Sequence, residues 1–185
     1  ISEIDDAKDY LYLAESLKNL SGKKLRKKKN HINAFLRENE GNFYYKNLCC
    51  QNSDIILEFL ERWRDNKSDN SEEHLDGELQ GINDILKNCS ALNVTMAGIF
   101  VNDKLEAFSV GSYNELEKMA IIHIEKANPN IRGLYPYINQ QFIINAFPDA
   151  YLVNREDDLG LEGLRKAKLS YEPMGYARKY RVIQL

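Results

Sequence analysis

The last third of the chain alternates apolar runs with polar turns, a pattern that predicts strands and helices in alternation. A strand–helix–strand unit leaves a crevice at the carboxyl ends of its strands, where ligands usually bind. The residues that follow these strands are polar, charged or turn-forming, so candidate chemistry is expected there. The predicted elements are a strand over Ala120–Ala127, a helix over Leu134–Phe147, a strand over Tyr151–Asn154 and a helix over Leu161–Leu169.

Upstream of this region the pattern predicts helices followed by a β-hairpin. Apolar residues recur at helical spacing in several stretches, and two strand-like runs flank the turn-forming pair Asn102-Asp103. This order predicts a mixed α/β sheet with a splayed or switch-point region. The predicted upstream elements are helices over 4–20, 25–36, 53–63 and 75–89, a short strand over Asn42–Leu48, and hairpin strands over Asn93–Val101 and Lys104–Ser112.

Composition and charge narrow the class of protein. The 185 residues are 43% hydrophobic with a net charge of -3, which is typical of a soluble globular protein and argues against a generally basic nucleic-acid binder. No apolar run approaches the roughly 18 residues of a membrane span, and no secretory signal is present. The cysteines Cys49, Cys50 and Cys89 lack metal-binding spacing, so reduced thiols in the cytoplasm are expected. Because the chain begins at Ile1, a preceding region is also expected.

The densest charge cluster is the basic segment Lys23–Lys29, in which every position except Leu25 is basic. On a helix these side chains would spread over most of the circumference. They predict either a polyanion-binding surface, for a nucleic-acid backbone, an acidic lipid headgroup or a phosphorylated cofactor, or a solvated helix face. The basic residues are Lys23, Lys24, Arg26, Lys27, Lys28 and Lys29.

A second candidate anion site is the turn Asn128–Gly133, between a predicted strand and a predicted helix. The free N–H groups at the start of a helix can hold phosphate or carboxylate, and Arg132 could add a bidentate contact. Any strand-to-helix connection offers the same N–H groups, so a plain surface turn is the alternative.

Two polar residues lie within the first strand of the strand–helix–strand unit. His123 and Glu125 are two positions apart, so they should project to one face with Ile121, and Ile122 and Ile124 to the other. A carboxylate and an imidazole on one face could be a general base and its partner, or a structural hydrogen-bonded pair.

Further polar candidates follow the second strand and the last helix. Asn154 and Arg155 open a polar run whose acidic members could cap the next helix, or bind an ammonium group or a metal. Tyr171 could protonate a leaving group, or be a core aromatic with its hydroxyl at the surface. The sequence contains no phosphate-binding glycine loop, serine-nucleophile motif or zinc-protease motif.

Three segments of the chain carry a family resemblance. They are SGKKLRKKKNHINAF at Ser21–Phe35, HIEKAN at His123–Asn128 and NREDDLGLEGLRKAKLSYEP at Asn154–Pro173. They resemble a bacterial family of uncharacterised proteins related to the C-terminal domain of phosphatidylglycerol lysyltransferase. That family is similar to the GCN5-related N-acetyltransferase (GNAT) fold, commonly with two lobes in tandem. The resemblance implies a GNAT-like α/β domain over 23–185, with flanking helices and a helical insertion over 53–92, preceded by a helix or linker over 1–22 from an N-terminal lobe.

The resemblance also implies a cofactor site. In GNAT enzymes the loop after the fourth strand holds the pyrophosphate of coenzyme A, and Asn130–Tyr135 occupies that location here. Only one glycine is present and Tyr135 is bulky, so a close approach of pyrophosphate is disfavoured. Related lysyltransferases take an aminoacyl group from tRNA, a donor that suits this loop and the basic segment. The cofactor-binding candidates are Arg132, Gly133, Leu134, Tyr135, Asn154 and Arg155.

These observations lead to alternative functional hypotheses. The first is a cytoplasmic acyl- or aminoacyl-transferase with acyl-CoA or aminoacyl-tRNA as donor, and a small molecule, peptide or lipid headgroup as acceptor. Glu125 would remove the acceptor's proton, with His123 as its candidate partner, and Tyr171 would protonate the leaving group. The second is a catalytically degenerate lobe that binds tRNA or another polyanion through the basic segment. A third is a lobe that mainly supports a preceding one.

Overall fold

The computed structural model describes residues 1–4, 7–65 and 72–183, and the side chains in these ranges except over 72–76. The strands are β1 (Ser2–Glu3), β2 (Asp9–Leu13), β3 (Phe43–Leu48), β4 (Thr95–Val101), β5 (Lys104–Asn114), β6 (Met119–Ala127), β7 (Leu152–Asn154), β8 (Gly175–Ala177) and β9 (Tyr180–Arg181). The helices are α1 (Ala14–Asn19), α2 (Arg26–Glu38), α3 (Ser53–Asp65), α4 (Glu72–Asn88), α5 (Leu134–Ala146) and α6 (Glu162–Leu169), and a short 3₁₀ turn, Cys50–Asn52, precedes α3.

The described strands form one large mixed sheet and a small separate pair. The large sheet has the order β3-β4-β5-β6-β7-β2-β8, and β1 pairs with β9. Within the large sheet β6 and β7 run parallel, and every other neighbouring pair is antiparallel. The parallel pair is joined by α5, as a crossover connection requires. The predicted mixed α/β sheet is therefore confirmed.

Helices cover both faces of the large sheet. Alternate residues of β4 contribute to two apolar clusters, because successive side chains of a strand point to opposite faces. One cluster contains Leu17, Phe35 and Ile138 from α1, α2 and α5, and the other contains Phe59 and Ile82 from α3 and α4. All five side chains are almost fully buried, so this burial is the main stabilising contribution to the layered fold. None of the described helices is both long and apolar enough to cross a lipid bilayer.

The predicted helix over 4–20 is wrong in its first part. Asp9–Leu13 forms β2, which pairs with β7 on one side and β8 on the other, and only Ala14–Asn19 is helical. Tyr10 and Tyr12 are buried whereas their neighbours in β2 are partly exposed, which is the two-residue period of a strand. The beginning of the chain therefore contributes a strand to the same sheet as the rest.

The cysteines also differ from the expectation of reduced thiols. Cys50 and Cys89 form a disulfide, with Cα atoms 5.8 Å apart, whereas Cys49 is free and exposed. The disulfide joins the turn before α3 to the residue that follows α4. It therefore links the two helices of one layer covalently.

The parallel strands β6 and β7 separate part-way along their length. Met119–Ile121 pairs with Leu152–Asn154, after which β6 continues to Ala127 while residues 155 and 156 stay hydrogen-bonded to Tyr10 of β2. The two strands no longer pair beyond this point, in agreement with the predicted splayed region, and buried side chains fill the space between their carboxyl ends, which is called the cleft below.

Candidate active site

A buried ion pair spans the cleft between the diverging strands. Arg155, directly after β7, donates from Nη2 to Oε1 of Glu125 on β6 at 2.9 Å. Only 12% of the Arg155 side chain and 11% of the Glu125 side chain are exposed. The other carboxylate oxygen of Glu125 accepts a hydrogen bond from Asn139 of α5 at 2.7 Å. The cleft is thus bridged by charged groups that depend on each other, because an unpaired buried charge is strongly unfavourable.

The ring of Tyr171 packs against this ion pair. Tyr171 follows α6 and is buried, and its ring centre lies 4.7 Å from Cζ of Arg155 and 4.0 Å from Nζ of Lys28. Burial raises the pKa of the Tyr171 hydroxyl well above its usual value, and the positive charge of Arg155 only partly opposes this. The phenol is protonated at neutral pH, as a proton donor must be, and the raised pKa makes it a weaker acid than a free tyrosine.

Lys28 of α2 joins this group, although the sequence did not distinguish it within the basic segment. Burial lowers the pKa of Lys28 to about 8, and repulsion from Arg155 and Lys27 acts in the same direction. Lys24, in the turn before α2, forms an ion pair with Glu172 at 2.7 Å. No local pattern in the sequence separates Lys28 from its basic neighbours. The other basic residues of the segment are exposed: Lys23, Arg26, Lys27 and Lys29.

A β-bulge separates two residues that were predicted to share a face. Ile122 and Ile124 pair with successive residues of β5, so His123 is an extra residue in β6. Beyond the bulge the alternation of faces is reversed, and Glu125 points towards Asn139 of α5. The prediction that His123 and Glu125 project to one face is therefore wrong.

His123 has its own partners away from the ion pair. Its Nε2 lies 2.8 Å from Oγ of Ser112, and its Nδ1 lies 2.8 Å from Oε1 of Glu156. Both ring nitrogens are thus engaged in hydrogen bonds that connect β5, β6 and the segment after β7. This geometry fits the structural alternative for His123.

The residues after β7 are held in place by Lys168 of α6. Its buried ammonium group donates to the backbone carbonyls of Arg155, Glu156 and Asp157, at 3.2 Å for Glu156 and 2.5 Å for Asp157. Burial, reinforced by the charge of Arg155, lowers the pKa of Lys168 to about 8. Asn154 accepts from the Glu156 N–H at 2.7 Å and is itself buried. These contacts fix the backbone that carries Arg155, so Asn154 and Lys168 position the ion pair.

Asp158 anchors the end of this segment, and its titration gives a prediction for acid stability. Its carboxylate accepts hydrogen bonds from Arg165 at 2.7 and 3.1 Å, from the Tyr10 hydroxyl at 2.6 Å and from the Gly160 N–H at 3.0 Å. The Arg165 hydrogen bonds are the largest cause that lowers the pKa of Asp158 from 3.8 to about 2. The ionised carboxylate therefore stabilises the fold above about pH 4, and this contribution is lost as the pH falls towards 2.

We expect Asp158→Asn to lower the free energy of unfolding by roughly 2 kcal/mol at pH 7, with the difference from the parent shrinking as the pH approaches 2. Urea unfolding followed by circular dichroism across this pH range measures the effect. Asp149→Asn, at an exposed aspartate, is the matched control and should behave like the parent. A destabilisation by Asp158→Asn that stays constant with pH would contradict the linkage.

Two of the cofactor-binding candidates lie near the start of α5, Arg132 in the turn before it and Tyr135 in its first turn. Arg132 is 62% exposed on its side chain, and its Nη1 lies 3.7 Å from a carboxylate oxygen of Glu38. Tyr135 accepts a hydrogen bond through its hydroxyl from the Trp63 indole at 3.3 Å. Neither side chain contacts the Glu125 ion pair in the hydrogen bonds of the described residues.

The backbone of this turn packs against α2 and makes hydrogen bonds within the turn. Gly133 has φ of +80°, and a methyl group on its Cα would overlap the carbonyl oxygen of His31. The N–H of Leu134, which is fully buried, donates within the turn at 3.3 Å, and Pro136 has no N–H. At these two positions no N–H is therefore left for a phosphate group.

A comparison with known families identifies the domain. The family described as phosphatidylglycerol lysyltransferase, C-terminal, matches residues 1–183. The chain belongs to this family. The resemblance stated from the sequence is confirmed, and so is the GNAT-like fold: a mixed sheet with flanking helices whose central parallel strands diverge. The family and the fold together relate this domain to the C-terminal part of phosphatidylglycerol lysyltransferase.

Individual relatives support the family and the fold. A conserved protein of unknown function from Bacteroides thetaiotaomicron is 33% identical, with a TM-score of 0.88 over 96% of this chain and 59% of its own. The uncharacterized protein MYCGA3080 from Mycoplasmoides gallisepticum is 27% identical over 183 residues, which cover 96% of this chain and 56% of the relative. L-PGS from Bacillus licheniformis is 14% identical, with a TM-score of 0.60 over 93% of this chain and 58% of its own, and this likeness concerns the fold. The chain thus spans little more than half the length of these relatives.

Proposed function

We propose that this domain transfers an aminoacyl group from aminoacyl-tRNA to an amine or hydroxyl acceptor in the cleft between β6 and β7. The observation that carries the proposal is the cluster of Glu125, Arg155, Tyr171 and Lys28 where the two strands part. A cleft filled with apolar side chains would give no chemistry. Here it holds a buried ion pair and a protonated phenol, as expected for a site of group transfer.

The turn before α5 favours aminoacyl-tRNA over acyl-CoA as the donor. A coenzyme A pyrophosphate needs free backbone N–H groups at a helix start. Gly133 lies against α2, Pro136 has no N–H, and the N–H of Leu134 is bonded within the turn. The exposed lysines of the basic segment supply positive charge for a nucleic-acid backbone instead. Acceptors with an amine or hydroxyl group, in a small molecule, a peptide or a lipid headgroup, remain part of the proposal.

In the proposed step the acceptor nitrogen or oxygen attacks the aminoacyl carbonyl carbon. The bond from this carbon to the tRNA ribose oxygen breaks, and the Tyr171 hydroxyl protonates that leaving oxygen. Glu125 was predicted to remove the acceptor's proton. Both of its oxygens already accept hydrogen bonds, from Arg155 and Asn139, so in the proposal a water between Glu125 and the acceptor relays the acceptor's proton to the Glu125 carboxylate.

Tyr171→Phe tests the proposed acid. Using the purified protein that contains this domain and tRNA charged with labelled amino acids, we expect the maximal transfer rate to fall about 100-fold, because the leaving oxygen loses its proton donor. The KM for charged tRNA should change little. Tyr44→Phe, at an exposed tyrosine of β3, is the matched control.

The same assay separates the proposal from a degenerate polyanion-binding lobe. Salt-dependent tRNA binding without transfer to any amine, peptide or lipid acceptor would favour the degenerate lobe. If acetyl-CoA stabilises the protein and charged tRNA has no effect, the donor is acyl-CoA and not aminoacyl-tRNA. Transfer at the parental rate by Tyr171→Phe would remove Tyr171 from the mechanism.

A further inference from the structure

Two buried hydrogen-bonding groups in the cleft have no hydrogen-bond partner of good geometry among the described residues, the Asn139 Oδ1 acceptor and the Arg155 Nη1 donor. Arg155 uses Nη2 for Glu125, and its guanidinium also interacts with the Tyr171 hydroxyl. Buried polar atoms are nearly always paired, and a guanidinium N–H that is not satisfied is unfavourable for the folded protein. Such an atom beside a candidate active site points to a group that the substrate supplies.

The charges around Tyr171 indicate the sign of that group. Arg155 and Lys28 bring two positive charges close to the Tyr171 ring, and Glu125 neutralises one of them. Lys168 adds to this positive balance, because the charge of Arg155 acts on it even though its ammonium group donates to three backbone carbonyls. An excess of positive charge therefore remains in a region that is largely shielded from water, and a negatively charged group would compensate part of it.

We propose that Nη1 of Arg155, together with the ammonium group of Lys28, binds a monoanionic group of a substrate, either a carboxylate or a phosphodiester. A guanidinium N–H is a geometrically specific donor to such oxygens, and a lysine ammonium adds a mobile point charge. The inference rests on the proposed function in that it places this anion in the transferase cleft.

Entry to the site requires Lys28 to move. Nη1 is closed off from solvent, and the Lys28 ammonium lies over the face of Tyr171. The lysine side chain has a flexible stem, so it can leave the ring and follow the anion. Lys24 and Glu172 form a second, largely exposed contact, between the turn before α2 and the turn after α6, and this contact can remain in place.

Binding of small anions tests the inference without any transfer reaction. Dimethyl phosphate and acetate represent the two chemistries, and titrations at low ionic strength are followed by thermal shift and by the NMR signals of arginine side chains. Saturable binding of either anion by the parent protein is expected, and the anion that binds more tightly identifies the group. Lys28→Met, which keeps the stem but removes the charge, should weaken binding about tenfold. Lys87→Met, at an exposed lysine of α4, should leave it unchanged.

The double variant Glu125→Gln with Arg155→Gln should abolish saturable binding while leaving no buried charge unpaired. If it does not fold, Lys28→Met still decides the question. The inference is overturned if the parent binds neither anion saturably, or if binding persists undiminished in Lys28→Met. Because binding is measured without donor or acceptor, the two proposals can fail separately. Saturable anion binding by a parent protein that transfers no aminoacyl group would leave this site standing, and transfer by a parent protein that binds neither anion would leave the proposed function standing.

Discussion

Arg155→Met should destabilise the folded domain by about 3–5 kcal/mol, because it leaves the buried carboxylate of Glu125 without its counter-charge. Among the described residues the carboxylate then keeps the hydrogen bond from Asn139, at 2.7 Å, in a cleft that is almost closed to water. Methionine retains much of the arginine's length, so the loss reflects charge more than volume. Chemical denaturation at pH 7 measures the difference in the free energy of unfolding.

A double-mutant cycle separates this charge effect from lost packing. Glu125→Gln combined with Arg155→Met should recover about 2 kcal/mol relative to Arg155→Met alone, because the unpaired charge is gone. Arg178→Met is the matched control, since Arg178 is 65% exposed on its side chain and lies 3.5 Å from a carboxylate oxygen of Glu3. Its effect should stay below about 0.5 kcal/mol. Equal effects for Arg155→Met and Arg178→Met would show that the ion pair does not carry the stability assigned to it.

Gly133→Ala should lower the free energy of unfolding by about 3 kcal/mol or more, because alanine disfavours the backbone conformation of this position. Gly133 precedes α5 with φ of +80°, a conformation that L-residues rarely adopt. The added methyl group would also overlap the backbone carbonyl oxygen of His31, and a main-chain atom cannot move aside cheaply. The expected result is a lower melting temperature with faster hydrogen exchange in α2, because α2 must separate from α5.

Gly163→Ala provides the control for this substitution. Gly163 lies in α6, and a methyl group there would meet nothing within 4 Å. Alanine is the better helix former, so this variant should gain about 0.5–1 kcal/mol of stability. Stability changes of the same sign in both variants would contradict the role given to the contact between Gly133 and His31.

Periodic stretches of the sequence predicted their elements well. The strand predicted at Ala120–Ala127 is observed as Met119–Ala127, and the helix predicted at Leu134–Phe147 as Leu134–Ala146. The reason is local: each of these runs has one periodicity and clear turn residues at its ends. The hairpin around Asn102-Asp103 was recognised for the same reason.

Other features depend on contacts that a local pattern does not contain. In β2 the buried Tyr10 and Tyr12 alternate with the equally apolar Leu11 and Leu13, so the period of the strand is not visible in the sequence. The bulge at His123 depends on how β6 pairs with β5, and it reversed the predicted face of every later residue in β6.

The candidate site shows the same limit. Glu125 was singled out because it lies near the end of a predicted strand, and Tyr171 because it follows a predicted helix. In the structure both side chains contact Arg155. Lys28 lies far away in sequence and was indistinguishable from its basic neighbours. Only the packing of α2 against α5 brings it to Tyr171.

The position of β2 has a consequence for the order in which the domain can be built. Tyr10 bonds to Asp158 across 148 positions, and Tyr12 bonds to the Lys168 carbonyl across 156. During synthesis this N-terminal strand has no partners until nearly the whole domain has left the ribosome, and contacts of such long range form slowly. The cleft is therefore completed at the end of folding, after the helical layer and the hairpin have had time to assemble.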